Sequence, residues 1–306
     1  MEPNAGTVLV TGATGFIGIR LVKALLDEGY SVRCLVRRAD ILLPPGATSV
    51  KGDLLEPLGL DAAFRGIDTA YYLVHSMGGG RAGFERRDRQ AAEYFTNAAE
   101  KAGVRRVIYL GGLGETGAGL SEHLASRMEV AQILKNGAFL TTVLRAPVII
   151  GSGGASYEMI KALVEKLPLM ITPRWVSTRC QPIAVSDVIG YLVGCLKEER
   201  TAGDTFDIGG PEILSYRDMM ERFARIEGRS ILILPVPFLS LKLSSYWLGM
   251  FTPVKPSVAM PLIEGVRNEM VCLDLRIREL VPLQLIGYDE AIRAALAEEK
   301  NQLISK

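Results

Sequence analysis

A glycine-rich turn that directly follows an apolar run is the feature that most constrains how this chain can fold. The run Thr7–Thr11 is rich in β-branched residues, which predicts a strand. The residues from Gly12 to Gly18 then carry glycines in a G-x-x-G-x-x-G spacing, and a helical pattern begins at Phe16 or Ile17. Such a turn lets the backbone approach a pyrophosphate, and the helix directs its N-terminal amides at the phosphates. The sequence therefore predicts a dinucleotide-binding turn; the alternative, a glycine turn without a ligand, fits the flanking strand and helix less well.

Two arginines, Arg37 and Arg38, follow the second predicted strand, Ser31–Val36. A protein that binds the ribose hydroxyls of NAD usually carries an acidic residue at this position, about twenty residues beyond the turn. A carboxylate would repel a 2′-phosphate, whereas a guanidinium can bind it through two hydrogen bonds. We therefore expect NADP(H) rather than NAD(H), held by Arg37 and with Arg38 as a second candidate. The alternative is that both arginines are solvated at the strand end.

A short turn, Gly52-Asp53-Leu54, follows the predicted strand Thr48–Lys51. The Asp53 carboxylate can accept a hydrogen bond from the exocyclic amine of adenine, so Asp53 and Leu54 are candidates for the adenine edge of the site. The alternative is that Asp53 caps its own turn.

Strands and helices alternate over the first half of the chain, which predicts a parallel sheet covered by helices on both faces. The topology that this pattern favours is a doubly wound α/β fold, a parallel Rossmann sheet. The predicted strands are Thr7–Thr11, Ser31–Val36, Thr48–Lys51, Thr69–Val74, Arg106–Leu110 and Leu140–Ile150, and the predicted helices are Phe16–Glu28, Phe84–Ala102 and Glu122–Asn136.

The order of elements loosens after Gly151, and we expect a smaller C-terminal substrate lobe there. The domain prediction is a Rossmann domain over residues 1–150 and a lobe over residues 151–306 that packs on it and does not fold independently. Predicted helices are Tyr157–Lys166, Ser186–Leu196 and Ser215–Glu227, and predicted short strands are Thr205–Ile208 and Ile231–Leu234.

Composition adds limits on the class of protein. The 306 residues are 48% apolar and 23% charged. The net charge is +1, so the overall charge of the protein does not favour the binding of nucleic acid. The four cysteines form no C-x-x-C pair, the N-terminus has no signal pattern, and no apolar run reaches the length of a membrane span. We expect a cytoplasmic protein without a transmembrane segment.

Five motifs together resemble the short-chain dehydrogenase/reductase superfamily, in its extended and atypical branches. The resemblance covers most of the chain and is nearest to NmrA-like NAD(P)H-binding proteins and to relatives of the nucleotide-binding accessory subunit of respiratory complex I. The motifs are Thr11-Gly12-Ala13-Thr14-Gly15-Phe16-Ile17-Gly18, Gly52-Asp53-Leu54, Leu144-Arg145-Ala146-Pro147, Gln181-Pro182-Ile183-Ala184-Val185-Ser186-Asp187-Val188 and Thr205-Phe206-Asp207-Ile208-Gly209-Gly210-Pro211-Glu212.

The resemblance assigns roles to matching positions. Arg37 would bind the 2′-phosphate, and Pro147 and Val148 would border the nicotinamide ring. The end of the fourth strand would lie beside the nicotinamide ribose, and the glycine turn would bind the pyrophosphate. The residues at these last two places are Val74, His75 and Ser76, and Gly12, Thr14, Gly15, Phe16 and Ile17.

The catalytic pattern of the superfamily is not matched. Its catalytic members carry a tyrosine, and four residues later a lysine, on one helix face, after a hydroxyl residue at the end of the fifth strand. The phenol exchanges a proton with the carbonyl oxygen, and the ammonium lowers the phenol's pKa. Here the two helix positions hold His123 and Arg127, and the strand ends in Leu110-Gly111-Gly112-Leu113-Gly114 without a hydroxyl.

Three interpretations follow. In the first, His123 replaces the tyrosine as acid and Arg127 anchors a ribose or phosphate. In the second, a hydride passes to a quinone or enone that needs no strong protein acid. In the third, the site is silent and the protein is an NADP(H) sensor or assembly factor. The alternative is that His123 and Arg127 are exposed side chains of the helix with no role in the site. His75 is the only other histidine, so no metal site is expected.

The substrate is not named by the sequence. Tyr157, Met159, Met170, Trp175, Trp247 and Met250 line an apolar cleft or are ordinary core. Residues 231–265 suit a bulky hydrophobic ligand, a membrane surface or a dimer contact equally. The leading hypothesis is an NADP(H)-dependent reductase of an unidentified small or hydrophobic substrate, monomeric or homodimeric, with no nucleic-acid partner. An isomerase or epimerase is a weaker alternative.

Overall fold

The structure is a computed structural model, and it describes residues 6–38, 40–75, 83–114, 122–172, 174–235 and 268–304. The strands of these residues are β1 (Thr7–Thr11), β2 (Ser31–Val36), β3 (Thr48–Lys51), β4 (Thr69–Tyr72), β5 (Arg106–Gly112), β6 (Leu140–Ala146), β7 (Ile149–Ile150), β8 (Leu169–Thr172), β9 (Arg179–Cys180), β10 (Ile183–Ala184), β11 (Thr205–Asp207), β12 (Leu214–Ser215) and β13 (Leu232–Pro235). The helices are α1 (Phe16–Asp27), α2 (Leu60–Phe64), α3 (Phe84–Lys101), α4 (Glu122–Lys135), α5 (Ala155–Lys166), α6 (Val185–Lys197), α7 (Tyr216–Ile226), α8 (Ile277–Leu280) and α9 (Tyr288–Ile304).

The central sheet has seven strands in the order β11-β6-β5-β4-β1-β2-β3, and every neighbouring pair is parallel. This arrangement confirms the predicted doubly wound α/β fold. The strand order changes direction between β1 and β4, and ligands of such sheets bind beyond the carboxyl ends of the strands at this switch point.

The sheet is covered on both faces because its buried strands alternate their side chains between two helix layers. Val8 and Val10 of β1 pack in a core with residues of α1 and α6, while Leu9 between them packs on the opposite face with residues of α2 and α3. The apolar stripe of α1 that meets the sheet consists of Leu21, Val22 and Leu25.

The strand predicted over Leu140–Ile150 is divided in the structure. The central sheet keeps β6, whereas Ile149 and Ile150 form β7 and pair with Ile183 and Ala184 instead. Pro147 lies at the break; its ring removes the amide hydrogen that a ladder needs, so the backbone leaves the central sheet there. The edge next to β6 is completed by β11, which comes from the second half of the chain.

A separate core lies beyond the break, among α5, α7, α9 and the small strand pairs. Its most buried large side chains include Tyr157, Met170, Met219, Phe223 and Ile292. Tyr157 and Met170 are therefore core residues, and the cleft-lining interpretation of these two is wrong. Trp247 and Met250, together with the Trp175 side chain, lie outside the described residues.

A buried carboxylate, Asp207, attaches the C-terminal segment to the sheet. Asp207 at the end of β11 is 1% exposed and forms an ion pair of 2.6 Å with Arg145 of β6. Its other oxygen accepts hydrogen bonds from the amides of Leu273 and Asp274, at 3.0 and 3.1 Å. Both oxygens of the carboxylate are thus used, which holds the end of the sheet against residues 272–274.

The contact between α7 and α9 gives a pH-dependent prediction at Glu212. Its oxygens accept from Arg222 at 2.6 Å and from the Tyr288 amide at 2.8 Å. The hydrogen bond from Arg222 is the main reason that the pKa of Glu212 lies below its ordinary value. A depressed carboxyl pKa stabilises the fold above the unfolded-state pKa, and this contribution disappears as the pH falls through the folded-state pKa.

We expect Glu212→Gln to lower the free energy of unfolding by about 1 kcal/mol at neutral pH and by progressively less as the medium is acidified. Urea unfolding at several pH values measures this difference. Glu221→Gln is the matched control, because the ion pair that Glu221 forms among the described residues is a local one, with the half-buried Arg217 one turn away on the same helix. A loss at Glu212 that stayed constant with pH would contradict the assignment.

Candidate functional site

The turn after β1 is shaped by glycines that side chains could not replace. Gly12 has a positive φ of +69°, and a Cβ there would lie 2.6 Å from the Leu73 carbonyl oxygen. The amide of Gly15 donates to the Gly12 carbonyl at 2.9 Å, which closes the turn. A Cβ on Gly18, in the first turn of α1, would lie 2.1 Å from the same carbonyl oxygen. The helix thus packs against the turn at a distance that only glycine permits.

The turn follows β1 at the switch point of the sheet, where a buried hydroxyl joins the two central strands. The Thr11 hydroxyl donates to the Tyr71 carbonyl at 2.9 Å and accepts from the Leu73 amide at 3.4 Å. Thr14 and Gly15 at the tip of the turn are exposed, and Phe16 and Ile17 are half-buried. The residues predicted to bind pyrophosphate are therefore together at the open end of the crevice between β1 and β4.

The ends of β2 and β3 bring the predicted 2′-phosphate and adenine residues side by side. Val36 pairs with Lys51, and the Gly52 amide donates to the Val36 carbonyl at 2.9 Å. Arg37 and Arg38 follow directly, and both are exposed. The Arg38 Nε lies 3.9 Å from Asp40, at the limit of an ion pair.

Asp53 caps its own turn, as the alternative interpretation predicts. Its Oδ1 accepts from the Leu55 amide at 3.0 Å, and its carbonyl accepts from the Glu56 amide at 3.0 Å. Leu54 is 4% exposed and packs in the core beneath the sheet. Only the backbone of Leu54 can face a ligand, and an adenine contact by Asp53 stays a prediction.

The ends of β4 and β6 carry the residues predicted to lie beside the nicotinamide. Val74 and Pro147 are half-buried and His75 is exposed at the same edge of the sheet. Val148 is 7% exposed and packs in the core of the C-terminal half, so its side chain supports that core. Ser76 lies outside the described residues.

The start of α4 covers the end of β5, where the superfamily's hydroxyl residue is absent. A Cβ on Gly112 would lie 3.3 Å from the Leu124 side chain, and one on Gly114 would lie 2.6 Å from it. Leu124 is 6% exposed and occupies the space over both glycines. A serine or threonine could therefore enter this place only if Leu124 moved. The backbone of His123 lies in α4, and its side chain lies outside the described part of the chain.

Arg127 is half-buried, and its buried Nε has no hydrogen-bond partner among the described residues. The backbone carbonyl of Arg127 accepts from the Tyr109 hydroxyl at 3.3 Å. Burial raises the pKa of Tyr109 above its ordinary value, and the nearby Arg127 partly offsets this. Tyr109 is 1% exposed and its hydroxyl is used by a backbone carbonyl, so it is a core residue and not an exposed proton donor.

A buried pair next to Arg127 was not predicted from the sequence. Asp88 of α3 is 3% exposed and accepts from the Ser126 hydroxyl at 3.2 Å, which links α3 to α4. The position of Asp88 on the apolar face of a long amphipathic helix is the only sequence signal that could have indicated it.

These features fit a dinucleotide. The turn is so tightly packed that a Cβ at Gly12 or Gly18 would meet backbone atoms, and exposed arginines follow β2. On α4, the Arg127 guanidinium has a buried nitrogen with no partner among the described residues. Bound at this edge, a reduced nicotinamide supplies a hydride. Within the described ranges, no helix is long and apolar enough to cross a membrane.

The part of the chain that carries this site is similar to a known sequence family. Residues 12–162 match the profile of a family described as NAD(P)H-binding. The chain is 26% identical over 277 residues to the chloroplastic divinyl chlorophyllide a 8-vinyl-reductase of Oryza sativa subsp. indica, covering 84% of this chain and 68% of that protein. It is 25% identical over 247 residues to the photosystem II assembly factor Ycf39 of Cyanophora paradoxa, covering 78% and 74%.

Three further curated relatives are matched over about a third of their own length. Among solved structures, a short-chain dehydrogenase/reductase superfamily protein from Agrobacterium tumefaciens with bound NAD superposes with a TM-score of 0.70 at 18% identity, covering 98% of this chain and 99% of that one. The predicted resemblance to this superfamily is confirmed. The finer likeness to NmrA-like proteins and the cytoplasmic location stay predictions.

Proposed function

We propose that this chain, whose residues 12–162 match the NAD(P)H-binding family, binds NADP(H) in preference to NAD(H) and reduces a small hydrophobic acceptor of the quinone or enone type. The observation that carries the cofactor preference is the exposed Arg37-Arg38 pair at the end of β2, next to the turn that follows β3. The glycine turn would hold the pyrophosphate, and Arg37 would bind the 2′-phosphate through its planar guanidinium.

The type of acceptor follows from the absence of the hydroxyl residue and the catalytic tyrosine that the superfamily uses. The end of β5 carries Gly111 and Gly112 and no hydroxyl residue, with Leu124 packed over Gly112. Tyr109 is buried and donates to the Arg127 carbonyl. An activated carbon–carbon double bond or a quinone accepts a hydride with less help from a protein acid than a simple ketone. The similarity to a vinyl reductase supports the same type of acceptor.

The rate of NADPH oxidation, measured with each member of a panel of quinones, enones, aldehydes and ketones, tests this function. We expect turnover with at least one quinone or enone and none with simple ketones. If His123 supplies the proton, His123→Ala should lower kcat about 100-fold, the usual contribution of a general acid. NADPH that binds but is never oxidised by any member of the panel would contradict the reductase.

A second function, a non-catalytic NADP(H) sensor or assembly factor, is favoured by one observation. Leu124 packs over Gly112 and Gly114, where catalytic members of the superfamily carry a hydroxyl residue. A protein that only binds NADP(H) does not need that space to be free. The similarity to a photosystem II assembly factor supports the same alternative. Binding of NADPH without turnover, together with a change in protease sensitivity on binding, would favour the sensor.

A further inference from the structure

A cavity of about 460 Å³ lies at the edge of the central sheet opposite the glycine turn. Several of its lining residues come from the amino ends of four neighbouring strands. Val8 of β1 pairs with Thr69 of β4, and Arg106 of β5 pairs with Thr69 and with Leu140 of β6. Because the glycine turn follows the carboxyl end of β1, this cavity and the nucleotide site lie at opposite edges of the sheet and share no lining residue.

Arg106 brings a buried positive charge to the wall of this cavity. It is 9% exposed, and its Nη2 donates only to neutral oxygens. These are the hydroxyls of Thr142 and Thr201, at 3.2 and 2.5 Å, and the Glu198 carbonyl at 3.2 Å. Among the described residues, neither Nε nor Nη1 has an acceptor, and no carboxylate lies within ion-pair distance of the guanidinium. A buried charge without a counter-ion is costly, so the guanidinium is suited to receive an anion.

The acids near Arg106 are used by other arginines. The Glu198 carboxylate pairs with Arg200 at 2.7 Å, and Asp68 pairs with Arg105. Burial is the main reason that the pKa of Arg106 lies below its ordinary value, which is the direction expected for a desolvated cation. A bound anion would supply the counter-ion that these residues do not give to Arg106.

The other residues that line the cavity indicate which kind of anion fits it. Part of the wall is aliphatic and is formed by Val8, Leu140 and Leu196. Two acids, Asp68 and Glu199, also line the cavity, and they would repel a ligand that carries more than one negative charge. An aliphatic wall beside one guanidinium without a counter-ion therefore suits a singly charged carboxylate on a short hydrocarbon chain.

We propose that this cavity is a second ligand site, which binds a small monocarboxylate with a short hydrocarbon chain. The carboxylate would accept from Nη1 of Arg106, because Nη2 is already used and Nε is buried. The hydrocarbon chain would lie along Val8, Leu140 and Leu196. The proposal does not depend on cofactor binding or turnover at the nucleotide site.

Titration calorimetry of the full chain with acetate, hexanoate and hexanamide at neutral pH tests this site. We expect hexanoate to bind at least about tenfold more tightly than acetate, because each buried methylene adds to the binding free energy. Hexanamide has the same chain without the charge, and it should bind at least about tenfold more weakly than hexanoate. Inorganic phosphate should bind more weakly than hexanoate, since it carries more charge and no hydrocarbon chain.

Arg106→Met removes the charge but keeps an unbranched side chain, and it should weaken hexanoate binding at least about tenfold. Arg33→Met is the matched control. The Arg33 guanidinium also donates to backbone carbonyls, those of Ala63 and Arg65 at 3.0 and 2.7 Å, but Arg33 does not line the cavity. This control should bind hexanoate like the wild type.

Ala202→Glu tests the site with Arg106 in place, and it decides the matter if Arg106→Met does not fold. Ala202 is a half-buried lining residue, so a glutamate there would fill part of the cavity and repel a carboxylate. We expect a loss of at least about tenfold in hexanoate affinity. Wild-type affinity in a folded cavity variant, or equal affinity of the wild type for hexanoate and hexanamide, would overturn the proposal. So would the absence of carboxylate binding, or tighter binding of inorganic phosphate than of hexanoate.

Discussion

Gly18→Ala is expected to reduce NADPH binding by more than about 1,000-fold. A Cβ at this position would lie 2.1 Å from the Gly12 carbonyl oxygen and 2.8 Å from the Ala13 Cα. These are backbone atoms, so α1 or the turn itself has to move. The amides that would hold the pyrophosphate then lose their common alignment, and each charge-assisted hydrogen bond contributes about 1.5 to 3 kcal/mol.

Helix propensity by itself predicts that Gly18→Ala raises the free energy of unfolding. The sign of the measured change therefore distinguishes helix propensity from overpacking. Alanine in a helix interior is about 1 kcal/mol more favourable than glycine, so a helix without a close neighbour would gain stability. We expect instead a loss of about 2 kcal/mol from overpacking. Thermal unfolding and titration with NADPH measure the two effects.

Gly190→Ala is the matched control for this prediction. Gly190 also lies inside a helix, α6, but the nearest obstacle to its Cβ is the end of the Leu283 side chain at 3.0 Å, which can move. This variant should bind NADPH like the wild type. If Gly18→Ala also retained full affinity, the turn would not be the pyrophosphate site.

Arg37→Asp is expected to change the preference between NADPH and NADH by about 1,000-fold, in favour of NADH. The substitution removes up to two charge-assisted hydrogen bonds to the 2′-phosphate and places a carboxylate where it repels that phosphate. The same carboxylate can accept from the 2′-hydroxyl of NADH, which raises the affinity for the other cofactor. Dissociation constants for the two cofactors at one ionic strength measure the change.

Two further variants separate the role of Arg37 from general charge. Arg37→Lys should lie between the wild type and Arg37→Asp, because an ammonium keeps the charge but not the planar fork. Arg225→Asp makes the same charge change at an exposed position on α7 and should leave the preference unchanged. Equal affinity of the wild type for NADPH and NADH would refute the assignment of Arg37 directly.

The sequence determined the central fold and the location of the nucleotide site. Local patterns were sufficient for this part: the strand Thr7–Thr11, the glycine spacing after it and the alternation of strands with helices predicted a doubly wound sheet, and the structure has it. Parallel strands end at the same edge, so Gly12, Arg37 and Pro147 had to lie along one edge of the sheet once the strands were known.

Only the tertiary structure decided what those positions can do, because each answer depends on a residue distant in sequence. The Leu73 carbonyl makes glycine obligatory at Gly12, and Leu124 closes the space over Gly112 that a catalytic hydroxyl would need. The break at Pro147 and the completion of the sheet by β11 likewise follow from long-range pairing. Periodicity reports which face of a strand or helix is apolar, but not which distant side chain packs on it.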